Sequence, residues 1–318
     1  SCEAVSKHPQ IAVVAGGVGA AKFLRGLLKV CPNENVTAII NIADDFRLHG
    51  LHISPDLDTV TYTLSKQVNP ETGWGRADES WRVRDELERL GGEIWFNLGD
   101  LDLALHLYRT QRLALGLTLT EVTQEVSNRL GVRASLLPAS NQSVQTQLKV
   151  ADQGWVDFQD YFVAQQHGVA VQAVRFQGIE EALPGPQVIA ALEQADQIII
   201  APSNPFVSVK PVLDIEGIGA LVKSRRDDVV AISPIVGGAA LKGPASRMLE
   251  ELGYIRNSRG VASFYQDYVG TLLIDNVDAP LAPEIESDGM QVHVTDTIMG
   301  DPERAAELAR ETLKALEP

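Results

Sequence analysis

Four aspartates crowd the segment NIADDFRLHGLHISPDLDT, Asn41 to Thr59: Asp44, Asp45, Asp56 and Asp58, with His49 and His52 between them. Carboxylates this dense repel one another unless a cation, a basic group or solvent screens them. A hard divalent ion would do so. Mg2+ fits best, because it prefers oxygen ligands and bridges to phosphoryl groups, whereas a four-ligand zinc site would need more His or Cys at clearer spacing. Asp44, Asp45 and Asp56 are the candidate metal ligands. The competing reading stays open: Asp44 and Asp45 can cap a turn, and Asp56 and Asp58 the helix that follows.

A partner for such an ion stands upstream. In AGGVGAAKF, Ala15 to Phe23, Gly16, Gly17 and Gly19 let backbone amides approach an anion, and the next helix aims its positive end at it. Lys22 sits where a dinucleotide fingerprint has its third glycine, and no G-K-[ST] ending follows, so neither a nicotinamide site nor a Walker loop is indicated. A tight strand-to-helix turn with a surface lysine is the plain alternative. NPETGWGRADESWRVRDEL, Asn69 to Leu87, offers Trp74 and Trp81 to stack on a planar ring and Arg76 to reach a phosphate; the same tryptophans would also serve as core anchors, with Arg82 and Arg84 paired to nearby acids. In FNLGDLDLALH, Phe96 to His106, Asp100 suits a helix cap as well as a ligand. APSNP, Ala201 to Pro205, and SPIVGGAALKGPA, Ser233 to Ala245, follow apolar strands and present Ser203, Asn204, Gly237, Gly238 and Lys242.

The elements that must position these groups alternate strand and helix. Ile11 to Ala15 and Val36 to Ile42 read as parallel strands, with a helix from Ala20 to Val30 between them. Further strands are expected at Val171 to Phe176, Ile198 to Ala201, Val229 to Ser233, Thr271 to Ile274 and Gln291 to Val294. Helices near Gln187 to Gln194, Pro244 to Leu252 and Pro302 to Leu316 separate several of them. The fold expected is α/β, a Rossmann-like, doubly wound, mostly parallel sheet with an inserted, mainly helical lobe. Residues 10–60 and 171–318 would form the nucleotide-binding core and 61–170 the inserted lobe closing over a cleft. Asp78 is expected to cap a helix running to Leu90, and Thr118 one running to Leu130.

Composition narrows the partners. With 42 acidic and 27 basic side chains over 318 residues, the net charge of −15 argues against a phosphate-backbone binder. Apolar runs are far shorter than the roughly 20 residues of a bilayer span. Cys2 and Cys31 suggest no disulfide framework, and Ser1 to Gln10 has no apolar core of a secretory signal, so a reducing cytoplasm is expected.

Taken in order, GGVGAAKFLRGL, DDFRLHGLHISPDLDTVTYTL, NPETGWGRADESWRVRDEL, LGDLDLALHLYRT, LTEVT, FQDYFV, APSNP, SPIVGGAALKGPA and the late TDTIM closely resemble the 2-phospho-L-lactate transferase family of deazaflavin-coenzyme biosynthesis, and within it the bacterial phosphoenolpyruvate transferases. The resemblance implies transfer of a phospho-three-carbon acid from a GMP-activated donor to the terminal hydroxyl of the deazaflavin Fo. GMP leaves, the (dehydro) coenzyme F-420-0 diester forms, Mg2+ is expected, and the active form is a homodimer. It carries Fo contacts to Asp58 and Asn97, the latter a departure, since relatives usually have Lys or Arg there. On that basis the Gly16 to Gly19 turn and Lys22 would hold the donor phosphates, and Asp58 would orient or deprotonate the attacking hydroxyl. Asp45 would share the catalytic centre with it, and Ser203, Asn204 and Lys242 would contact the nucleotide. Similarity to bacterial members favours enolpyruvate over lactate as the acid. A non-catalytic nucleotide-sugar-binding regulator of the same fold family is the alternative, and the Trp-Gly-Arg turn of the lobe speaks against it.

Overall fold

A computed structural model describes residues 8–164, 168–240 and 243–317. Strand β1, Ile11–Ala15, is buried on both faces, as a central parallel strand requires. It is joined by β2 (Val36–Ile40), β3 (Ser135–Pro138), β4 (Gln197–Ile200), β5 (Val229–Ile232), β6 (Thr271–Asp275) and β7 (Gln291–Thr295). Their order across the sheet is β7-β6-β5-β4-β1-β2-β3, and every pairing is parallel. The strand order therefore reverses between β1 and β4, which opens a crevice at their carboxyl ends. Helix α1 (Gly17–Val30) leaves β1 there, and α2 (Pro55–Leu64) follows the aspartate segment. Gly26 lets α1 lie directly against the terminal helix Pro302–Lys314, where a Cβ would stand 2.3 Å from the Ala305 carbonyl carbon.

Several expectations change in detail. Val171–Gln177 is a strand, but it belongs to a separate antiparallel sheet with Gln145–Val150 and Gly154–Asp157; its face is only partly buried, so it does not fit the doubly covered main sheet. The main-sheet strand β3 lies within the 61–170 span and was not anticipated, being only four residues long and ending in proline. The aspartate segment contains a hairpin, Phe46–Leu48 paired with Leu51–Ile53, turned at His49 and Gly50, both with positive φ (53° and 75°).

The helical part of the lobe comprises α3 (Arg82–Arg89), α4 (Asp100–Ala114) and α5 (Leu119–Arg129). Thr118 caps α5 in a reciprocal box with Glu121, as its sequence indicates. Asp78 does not cap α3. Asp100 does so instead, accepting from Val83 N at 3.1 Å and Arg82 N at 3.3 Å, while Glu79 returns the favour to α4 by accepting from Leu101 N at 2.9 Å. The two helix starts thus brace each other through a tertiary contact that spacing along the chain could not reveal. Cys31 is a buried free thiol, and Cys2 lies outside the described residues. Among the described residues no helix is long and apolar enough to cross a membrane.

Candidate active site at the sheet crevice

Backbone proximity defines the first part of the site. At Gly16 an added Cβ would come within 2.9 Å of both Asp56 Oδ2 and Ser208 Cβ, and at Gly19 within 2.4 Å of the Pro202 carbonyl oxygen. Gly17 adopts φ +78°, a region that side chains disfavour. Glycine at these positions is what allows the β1–α1 turn to touch both the aspartate segment and the loop after β4. Ser203 completes the seam by donating to Gly16 O at 2.6 Å. Lys22 is half-buried on α1.

Asn41, one residue past β2 and 1% exposed, is the hub that the sequence reading did not single out. Its Nδ2 donates to Asp44 Oδ1 at 2.5 Å and Asp56 Oδ2 at 3.0 Å, and its Oδ1 accepts from Ala43 N at 3.0 Å. Burial, then the charges of Asp56 and Asp45, push Asp44 well above the usual carboxylate range. Burial also pushes Asp56 up to about 7, against the hydrogen bonds from Asn41 and the Gly17 backbone. Asp44 and Asp56 thus share one amide donor, and the raised pKa of each marks a crowding of carboxylates that a cation would relieve.

Asp45 faces elsewhere. Its Oδ2 meets His52 Nε2 at 3.0 Å and accepts from Ser54 Oγ at 2.7 Å, while its buried Oδ1 has no hydrogen-bond partner. Among the described residues no three His, Cys, Asp or Glu side chains converge as a closed metal cage. One buried and one half-buried carboxylate beside a glycine-rich helix start do fit Mg2+, which is usually held by one or two carboxylates together with phosphate oxygens.

Asp58, two residues beyond Asp56 on α2, points to the other side of the helix. It forms a forked ion pair with Arg109 of α4, and Arg109 Nη1 also donates to the His52 carbonyl at 3.2 Å and approaches His106 Nδ1 at 3.3 Å. Burial raises the Asp58 carboxyl, and the Arg109 charge works against that rise. An aspartate so engaged is a fixed hydrogen-bond acceptor. Nearby, Tyr62 donates to Asp102 Oδ1 at 2.9 Å, and the Arg76 guanidinium lies 5.3 Å from the Tyr62 ring centre. His106 and Arg109, spaced i and i+3 in LHLYRT, carry the only sequence hint of this cluster.

His106 is 2% exposed. Burial, then the Arg109 and His52 charges, lower its pKa to about 3, so it is neutral in the folded protein. The unfolded chain takes up that proton first, so the stability this arrangement allows is complete above the imidazole value of 6.5 and is lost as pH falls toward 3. Between pH 7 and 5 the wild type should lose about 2 kcal/mol more stability than His106→Gln, as read from urea melts at the two pH values. Parallel losses in the two proteins would refute the assignment.

The remaining candidates occupy the lobe and the far crevice wall. Trp74 is 46% and Trp81 38% exposed, so neither is a core anchor. Trp81 borders an open recess of about 540 Å³ with Asn69, Arg76 and Glu79. Asn97 follows Phe96, which packs on Phe46 (5.0 Å between ring centres) and Trp95 (5.7 Å), and its Oδ1 accepts from Arg84 Nε at 2.8 Å. Asn204 uses its Oδ1 to cap the following turn, accepting from Phe206 N at 2.9 Å. Lys242 lies outside the described residues. Gln159 was not foreseen: it donates to the Asp44 carbonyl at 3.0 Å, placing the short helix Phe158–Ala164 against the aspartate segment.

Comparison with known proteins gives a consistent result. The family model described as 2-phospho-L-lactate transferase CofD matches residues 11–314. A phosphoenolpyruvate transferase of Kitasatospora aureofaciens is 40% identical over 314 residues, covering 97% of this chain and 98% of that protein. A 2-phospho-L-lactate transferase of Methanosarcina mazei is 35% identical over 303 residues, covering 95% and 99%. Among solved structures, a Bacillus halodurans protein of the upf0052 family superposes with a TM-score of 0.65 at 20% identity, covering 96% of this chain and 99% of that one, a likeness of fold alone.

Proposed function

The chain belongs to the 2-phospho-L-lactate transferase family, and from that premise we propose that it transfers a phospho-three-carbon acid, phosphoenolpyruvate in preference to 2-phospho-L-lactate, from its GMP-activated diphosphate to the terminal hydroxyl of Fo. The hydroxyl oxygen forms a new bond to the phosphorus next to the acid, the bond from that phosphorus to GMP breaks, the hydroxyl proton passes to solvent, and (dehydro) coenzyme F-420-0 is the product. The observation that carries this reading is the buried Asp56 carboxylate set against the Gly16 to Gly19 turn, with Asp44 on the same Asn41 amide, at the point where the strand order reverses.

In this reading the backbone amides of the glycine turn and Lys22 hold the donor phosphates, and Ser203 keeps the turn's shape through the Gly16 carbonyl. Asp44 and Asp56 would hold Mg2+, and the bound ion would neutralise charge on the phosphoryl oxygens. Asp45, tied to His52 and Ser54, sets the hairpin beside that pair. Asp58 orients the acceptor hydroxyl, and Trp81 and Trp74 offer faces to the deazaflavin ring. Arg84, held at Asn97, supplies a guanidinium where the resemblance leads one to expect a Lys or Arg. The active form is a cytoplasmic homodimer, which light scattering would show as twice the chain mass.

Fluorescence titration with Fo, in the presence of Mg2+ and GDP, tests the function. Saturable binding is expected, weakened about tenfold in Arg84→Ala through loss of a charge-assisted contact. No binding under any of these conditions would remove the transferase reading and favour a nucleotide-sugar regulator.

A further inference from the structure

Arg109 is 4% exposed, and it touches groups from three elements. It forks onto both carboxylate oxygens of Asp58 on α2, donates to the His52 carbonyl on the hairpin at 3.2 Å, and approaches His106 Nδ1 one turn away on its own helix at 3.3 Å. The next residue, Thr110, accepts from the His52 backbone N–H at 2.8 Å, so α4 grips the hairpin strand at adjacent positions. That strand's imidazole bonds Asp45 at 3.0 Å. One guanidinium therefore links the carboxylate on the lobe side of α2 to the segment bearing the aspartate cluster.

Burying an ion pair is a costly way to hold a fold together, since well-packed apolar side chains of similar volume serve as well or better. The geometry is better explained by orientation. A carboxylate held in a fork loses its side-chain rotation, yet each oxygen keeps a second lone pair for another donor.

We propose that Arg109 is a positioning residue for the acceptor: it fixes the orientation of Asp58 and, through the His52 carbonyl, its placement relative to the aspartate cluster. The inference rests on the reading that Asp58 meets the acceptor hydroxyl. Arg109 itself need not touch either substrate. Lysine in its place would keep the charge but lose the fork and the second contact.

The test compares acceptor and donor kinetics in the purified full-length protein, with Fo and the enolpyruvyl donor, for wild type, Arg109→Lys, Arg109→Met and the double variant Arg109→Met/Asp58→Asn. The apparent KM for Fo should rise about tenfold in Arg109→Lys and about 10²-fold in Arg109→Met, while the donor KM stays within about twofold. If Arg109→Met fails to fold, the double variant removes both charges together and should regain the wild-type melting temperature without regaining the acceptor KM. A folded Arg109→Lys with the wild-type acceptor KM would overturn the proposal, as would acceptor and donor KM rising together, which is the mark of a loosened lobe. Absence of turnover in the wild type itself would instead overturn the functional reading on which this one depends.

Discussion

Asp56→Asn is expected to lower turnover by roughly 10³-fold while leaving the protein folded. The asparagine keeps the shape of the aspartate and can still accept from Asn41 Nδ2, which reaches Asp56 Oδ2 at 3.0 Å. What it removes is the carboxylate that lies against the glycine turn. Without substrate that loss is favourable. Asp56 is pushed up to about 7 in the folded protein, so its contribution to stability is present at low pH and is lost as pH rises through that value. The melting temperature of Asp56→Asn should therefore match or exceed that of wild type, with a gain larger near pH 8 than near pH 6. Mg2+ with GDP should raise the melting temperature of wild type and not of the variant. Retention of turnover within about threefold would exclude this carboxylate from the centre.

Asp58→Asn has the other large expected effect, and its cause is different. Here the partner is the buried Arg109 guanidinium, which the substitution leaves without its anion. Breaking one side of a buried pair costs about 3–5 kcal/mol, so a marked drop in melting temperature is expected, opposite in sign to Asp56→Asn. In kinetics the acceptor KM should rise by about 10² or more, because the forked geometry makes Asp58 a fixed hydrogen-bond acceptor rather than a base. A fall in kcat of roughly 10²–10⁴ with the acceptor KM unchanged would reverse that assignment and make Asp58 the general base. Two aspartates two positions apart in the sequence are thus expected to fail in opposite ways, since a helix turns residues i and i+2 to nearly opposite sides.

The sequence by itself determined the parallel α/β core, the glycine turn at its entry and the family. Short apolar runs rich in β-branched residues and bounded by turn residues favour buried parallel strands, and ordered motifs over nearly the whole chain are specific. It also marked the aspartate segment as the place where chemistry is concentrated. Only the tertiary structure decided how those aspartates divide: Asp44 with Asp56 under Asn41, Asp45 on His52, and Asp58 on Arg109, 51 residues away along the chain. It likewise gave Asp100 to the start of α3, turned Trp74 and Trp81 outward, and set Arg84 at Asn97. Local patterning reports how a residue fits its own element, over a few positions. The partner of a buried charge is chosen by whichever distant element packs nearest, and no spacing within the chain encodes that choice.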